Sequence, residues 1–137
     1  MKIERTHDSF LVDRFIETAG TSLETFRYFS TRPTSTIFSH LITLIGTEDG
    51  IPIAYGHLDP ENGCTWLGVC VAEKWLGMRK GAEIVCLLLE FADAGGILVS
   101  LTVDEDNLRA RKLYERYGFV FKRQVLKTVY YERVPHG

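Results

Sequence analysis

One stretch restricts the fold of this chain more than any other. An apolar strand runs through a glycine-bearing turn into an apolar helix, and the helix leads into a second apolar strand. "CTWLGVCVA" is the first strand, "GAEIVCLLLEFADAGG" the helix and "ILVSLTV" the second strand. Crossovers of this kind join strands that lie parallel in one sheet. Ile84, Val85, Leu88, Leu89 and Ala92 form one wide helical face, and Gly95 and Gly96 end the helix. "ILVSLTV" is nearly continuous in apolar residues, the pattern of a strand buried on both sides.

The rest of the chain supplies hairpins and more helix. "MKIERT" reads as a short first strand, and "DSFLVDRFIETAG" as a helix with Phe10, Leu11, Phe15 and Ile16 at helical spacing and Asp8 or Ser9 as cap. "SLETFRYFSTR" reads as a second helical piece that stops before Pro33. "HLITLIGT" and "IPIAYGHLD" form a hairpin about "EDG", and a second turn, "PENG", leads into "CTWLGVCVA". "DEDNLRARKLYERYG" is a helix with acidic residues in its first turn and Gly118 just past its end. "FVFKRQVLKTVYYERV" supplies one or two closing strands, with edges near "TVYYERV" that would permit a homodimer. Hairpins and crossovers together require a mixed sheet of α/β type. No repeat or linker interrupts the chain, so residues 1–137 are expected to form a single domain.

Composition narrows the function classes. With 45% hydrophobic and 25% charged residues and a formal charge of -2, the chain has no basic field for nucleic acid or anionic membrane. No apolar run approaches the roughly 20 residues that cross a bilayer, and "MKIERTHDSF" lacks the apolar core of a signal peptide. Cys64, Cys70 and Cys86 are odd in number and never spaced as CxxC, so neither a disulfide framework nor a metal site is expected. The expected location is a reducing cytoplasm.

Two motifs carry chemistry. In "WLGMRKGA" unpaired helix-start amides and the helix dipole form a general device for holding phosphate, and Arg79 and Lys80 would add charge. By itself the turn also suits a plain connecting loop. Gly68, inside the preceding strand, marks either a bulge that leaves peptide groups unpaired or relief of crowding near Trp66. In "NLRARKLYERYGF", Asn107, Ala110, Arg111 and Tyr114 share one helical face.

These two motifs, in this order and separation, resemble the GNAT superfamily of acetyl-CoA-dependent N-acetyltransferases. The resemblance rests on Asn107, Ala110, Leu113, Tyr114, Gly118 and Phe119, with "LGVCVAEKWLGMRKGAEIVCLLLEFA" in register upstream, and covers about residues 50 to 123. It implies a mixed, mostly antiparallel sheet of about six to seven strands, with helices on both faces and a splayed fourth strand. It implies acetyl-CoA as cosubstrate and no metal. Val69 and Val71 would pair with the pantetheine arm, while Gly77, Arg79, Gly81 and Ala82 would hold the pyrophosphate. Asn107 matches a pantetheine contact, and Tyr114 the tyrosine that protonates the departing thiolate. The turn departs from the family pattern at Leu76 and at Arg79, where a glycine is usual; a side chain there disfavours positive φ.

The same resemblance implies transfer to a primary amine of a small acceptor by direct attack in a ternary complex. Some relatives place a glutamate on the fifth strand, where this chain has Thr102. His57 is therefore the first candidate for the base, ahead of His40 and Asp59, because histidine titrates near neutrality. Phe26, Tyr28 and Phe29 are candidates to wall the acceptor pocket, with Arg27 or Arg32 to hold an anionic group. "TFRYFSTRP", "AYGHLD" and "TWLG" are similar to members found among surface-polysaccharide enzymes, which implies an amino sugar, nucleotide-linked or free. A polyamine, an aminoglycoside and a protein N-terminus stay open as acceptors. The competing reading is a catalytically degenerate module that binds acyl-CoA or a protein partner; the altered turn favours it, and Asn107 with Tyr114 favours the enzyme.

Overall fold

The computed structural model describes all residues, Met1–Gly137. Seven strands form one sheet in the order β1-β2-β3-β4-β5-β7-β6. They are β1 (Lys2–Arg5), β2 (Ile42–Glu48), β3 (Ile51–Glu61), β4 (Cys64–Val71), β5 (Val99–Asp104), β6 (Val120–Val125) and β7 (Thr128–Arg133). Every pairing is antiparallel except β4 with β5. The helices are α1 (Ser9–Ala19), α2 (Lys80–Ala94) and α3 (Leu108–Arg116), and none is long and apolar enough to cross a membrane.

Both hairpins before the crossover close through residue pairs at positive φ. Asp49 (51°) and Gly50 (77°) join β2 to β3, and Asn62 (55°) and Gly63 (77°) join β3 to β4. Two-residue turns with both central φ values positive match the twist of the strands they join. α1 packs Val12, Phe15 and Ala19 with Ile45, Tyr55 and Cys70. α2 packs Ile84, Val85, Leu88 and Leu89 into a larger cluster with Leu58, Leu67, Leu101 and Val129, against which Ala110, Leu113 and Tyr114 of α3 also lie.

The crossover opens the sheet. β3 and β4 stay paired in unbroken register from Ala54–Val71 to Glu61–Cys64, whereas β4 and β5 pair only at Trp66–Ser100. Beyond that point the two parallel strands part, and the fourth strand is splayed. No bulge occurs at Gly68, contrary to one of its two sequence readings. Gly68 faces His57 across the hairpin, and a Cβ there would lie 2.5 Å from His57 Nε2. The glycine relieves crowding, against His57 rather than Trp66.

Three more expectations change. "SLETFRYFSTR" is not an α-helix but a series of short 3-10 turns at Gly20–Glu24, Tyr28–Ser30 and Thr34–Ser39. Tyr28 and Arg32 reach out of it to Asp59 and Glu61 on β3, so tertiary bonds replace helical ones. Asn107, not an acidic residue, caps α3: its side chain accepts from Ala110 N, and no acidic residue lies in the first turn. "TVYYERV" falls on β7, which is enclosed by β5 and β6; the open edges are β1 and β6.

Candidate active site

The splay between β4 and β5 is flanked by two cavities of about 520 and 600 Å³. Both are lined by Phe26, Val69, Asn107, Ala110 and Tyr114, so they meet along the gap.

The larger cavity lies over the start of α2 and holds the glycine turn. Gly77, Arg79, Gly81 and Ala82 all line it, as does Val71. Arg79 has φ 60° and ψ 17° and stands as the N-cap of α2 without a side-chain cap bond. A left-handed arginine costs roughly 1–2 kcal/mol, and the turn nevertheless takes that shape, with Gly77 at φ 80°. The amides of Arg79, Lys80, Gly81 and Ala82 have no acceptor in the protein. Four unpaired amides at a helix start, with the helix dipole behind them, form an anion cradle.

Charge reinforces it. Arg109, Lys112 and Arg116 on α3 line the same cavity with Arg79 and Lys80, and no carboxylate does. Lys80 is drawn aside toward Glu48, 3.7 Å away. The three α3 cations were not singled out from sequence, although their spacing of three and four residues places them on one helical face.

Val69 and Val71 present their backbone to the same gap. Ala72 N donates to Ile53 O at 2.8 Å, so Ala72, Cys70 and Gly68 turn their peptide groups toward β3. By alternation those of Val69 and Val71 face away from it, where β5 no longer pairs. An extended ligand could add there as a strand does.

Tyr114 sits where the cavities meet. Its hydroxyl has no hydrogen-bond partner among the side-chain bonds, and its ring packs edge-on against Phe119 at 5.7 Å. Burial, followed by the nearby Cys70 thiol, pushes the phenol up to about 12, so it stays protonated throughout the neutral range. Arg111 leaves the face it was expected to share, donating to Tyr131 Oη and Glu105 O.

The smaller cavity is polar and aromatic. Phe26, Tyr28, His57, Asp59, Trp66 and Thr102 are among its walls. Phe29 is not; it packs against Tyr55 at 5.5 Å, beside the α1 cluster, and is corrected from pocket wall to support. Arg27 pairs with Asp104 at 2.9 Å and Arg32 with Glu61 at 3.3 Å, so neither is a free anion ligand.

His57 is 2% exposed. Its Nδ1 lies 2.6 Å from Tyr55 Oη, and its ring packs on Gly68 and Tyr28. Burial first, then His40 and Arg32, hold its pKa well below the ordinary value. An imidazole so placed is held in its neutral form, and it lines the smaller cavity. His40 bridges Tyr28 Oη (2.8 Å) and Thr43 Oγ1 (2.9 Å) and does not line the cavity. No three His, Cys, Asp or Glu side chains converge as metal ligands.

Comparisons with known proteins bear on the family and the fold. The sequence profile described as the Acetyltransferase (GNAT) family matches residues 7–119. No curated protein matches the sequence. Among solved structures, the GNAT domain of S. lividans PAT superposes with a TM-score of 0.81 at 17% identity, covering 96% of this chain and 89% of that one. The Salmonella typhimurium protein yncA, solved with its cofactor acetyl-CoA, gives 0.80 at 15% identity over 100% and 95% of the two chains. The paia N-acetyltransferase from Thermoplasma acidophilum, in complex with coenzyme A, gives 0.77 at 15% identity over 98% and 99%. At such identities these likenesses speak for the fold.

Proposed function

The chain belongs to the acetyltransferase (GNAT) family, and from that premise we propose that it moves the acetyl group of acetyl-CoA onto the primary amine of a small acceptor within a ternary complex. The observation that carries this reading is the meeting of a cationic, amide-lined cavity with a polar one at Val69, Asn107 and Tyr114. Acetyl-CoA supplies the activated thioester carbonyl. The free amides of residues 79–82, with Arg109 and Lys112 nearby, suit its phosphates. The unpaired peptide groups of Val69 and Val71 suit its pantetheine arm, with Asn107 alongside.

Catalysis is then largely positioning. The acceptor nitrogen approaches from the smaller cavity, and a β4 amide in the gap can stabilise charge that develops on the carbonyl oxygen. As the C–N bond forms and the C–S bond breaks, Tyr114 gives its phenolic proton to the leaving sulfur, the acylated nitrogen releases its surplus proton to solvent, and the phenol regains one from solvent. An amino sugar is the acceptor class we favour, since the cavity combines an aromatic wall, Trp66 and Tyr28, with polar groups at Asp59 and Thr102.

The degenerate-module reading drew its support from the altered turn at Leu76 and Arg79; that Arg79 adopts positive φ supports the enzyme reading instead. The test is thiol release from acetyl-CoA over a panel of primary amines that includes glucosamine. Tyr114→Phe should reduce turnover by about a hundredfold with an unchanged Kd for acetyl-CoA. Tight acetyl-CoA binding with no thiol release for any amine would instead establish a binding module.

A further inference from the structure

The smaller cavity contains three carboxylates and two guanidiniums. Asp104 and Glu61 are consumed by Arg27 and Arg32. Asp59 alone has no cationic partner, and it is 3% exposed. Its Oδ2 accepts from Tyr28 Oη at 2.6 Å, while its Oδ1 has no bond to any protein group and the residue lines the cavity. The unpartnered oxygen therefore faces the cavity, where a cationic donor on a ligand can reach it.

Its geometry is held from behind. Tyr28 Oη donates to Asp59 and, having one hydrogen, accepts from His40 Nε2 at 2.8 Å. His40 Nδ1 then accepts from Thr43 Oγ1 at 2.9 Å in the neutral ring. Arg32 lies over the Tyr28 ring at 4.4 Å, and His57 packs on the ring at 4.3 Å. Thr43, His40 and Tyr28 therefore act on the site through Asp59.

Resting on the reading of this cavity as the acceptor site, we propose that Asp59 receives the ammonium group of the acceptor, and that the enzyme selects a cationic amine with no phosphate or other anionic substituent. Asp59 is the group that touches substrate; Tyr28 and His40 are positioning residues. Before attack, one ammonium proton passes to the free Oδ1 of Asp59, leaving a neutral amine whose lone pair is available and a neutral carboxyl that later returns the proton to solvent. A nucleotide-linked amino sugar does not suit the cavity, because both arginines that could hold its phosphates are already paired.

Binding tests this without requiring turnover. The protein saturated with coenzyme A is titrated with glucosamine, putrescine and glucosamine 6-phosphate, and the shift in Tm is recorded for wild type, Asp59→Asn and Tyr28→Phe. Glucosamine or putrescine should raise Tm in wild type with at least tenfold lower apparent Kd than the 6-phosphate. Asp59→Asn should abolish that shift while its response to coenzyme A is unchanged. Tyr28→Phe keeps the carboxylate but frees it, and should weaken amine binding severalfold. No amine-dependent shift in wild type, an equal shift in Asp59→Asn, or preference for the 6-phosphate would overturn the proposal. Thiol release measured in parallel judges the transfer reading separately: Asp59-dependent amine binding without release would refute catalysis and leave the ammonium site standing.

Discussion

Gly68 and His57 compete for one volume from opposite strands of the β3–β4 hairpin. Their pairing explains why a residue without Cβ sits inside a strand that otherwise runs in regular register. Gly68→Ala would set a methyl group 2.5 Å from the His57 ring, which Tyr55 and Tyr28 prevent from retreating. We expect a loss of about 1–3 kcal/mol, visible in denaturant melts, together with weaker acceptor binding because Asp59 lies two residues further along β3. An alanine variant of wild-type stability would show that the ring moves freely. Nothing in the sequence discloses this contact, because it depends on which residue of β3 faces which residue of β4.

At the scale of elements, the turn into α2 carries a backbone cost and leaves four amides unpaired. Arg79 sits in the left-handed region where glycine is at ease. Arg79→Gly should therefore raise stability by about 1 kcal/mol while weakening acetyl-CoA binding through the lost cation. A glycine variant that melts no higher than wild type would mean that Arg79 is not strained. The crossover itself was legible in the sequence, since apolar runs of strand and helix period alternate there with glycine punctuation. The "SLETFRYFSTR" segment was not legible, because its aromatic spacing imitates a helix while Tyr28 and Arg32 are drawn to Asp59 and Glu61. The start of α3 was misplaced for a local reason: Asp104 to Asp106 precede the cap, and Asn107 is the residue that turns to meet Ala110 N. The places of the turn amides and of Tyr114 beside the gap were expected only through the family resemblance of the two motifs, whereas the paired state of Arg27 and Arg32 was not legible, since their partners lie far away in sequence.

Across the whole molecule, the splayed half of the sheet leaves closure to contacts elsewhere. One of these is a clamp in which Asp93, near the end of α2, accepts two bonds from Arg133 and one from His136 N. Arg133 is 5% exposed and also donates to Tyr117 O, so β7, α2 and the end of α3 converge on one guanidinium. The Arg133 hydrogen bonds hold the Asp93 carboxyl down at about 2, below its unfolded value near 3.9. A depressed carboxyl pKa contributes stability that is fully present above about pH 4 and is lost as pH falls toward 2. Acid titration of Tm should show this loss in wild type, and Asp93→Asn should flatten it while lowering Tm at pH 7. Parallel acid profiles for the two proteins would exclude the clamp as its source.

The central claim is that a left-handed Arg79 lets the turn present four free amides to a pyrophosphate beside a strand edge open to pantetheine. Calorimetric titration of the wild-type protein with acetyl-CoA tests it most directly. The account predicts saturable one-to-one binding, with affinity that falls as salt rises because five cations line the cavity. Absence of heat at high micromolar acetyl-CoA, or binding indifferent to salt, would contradict it.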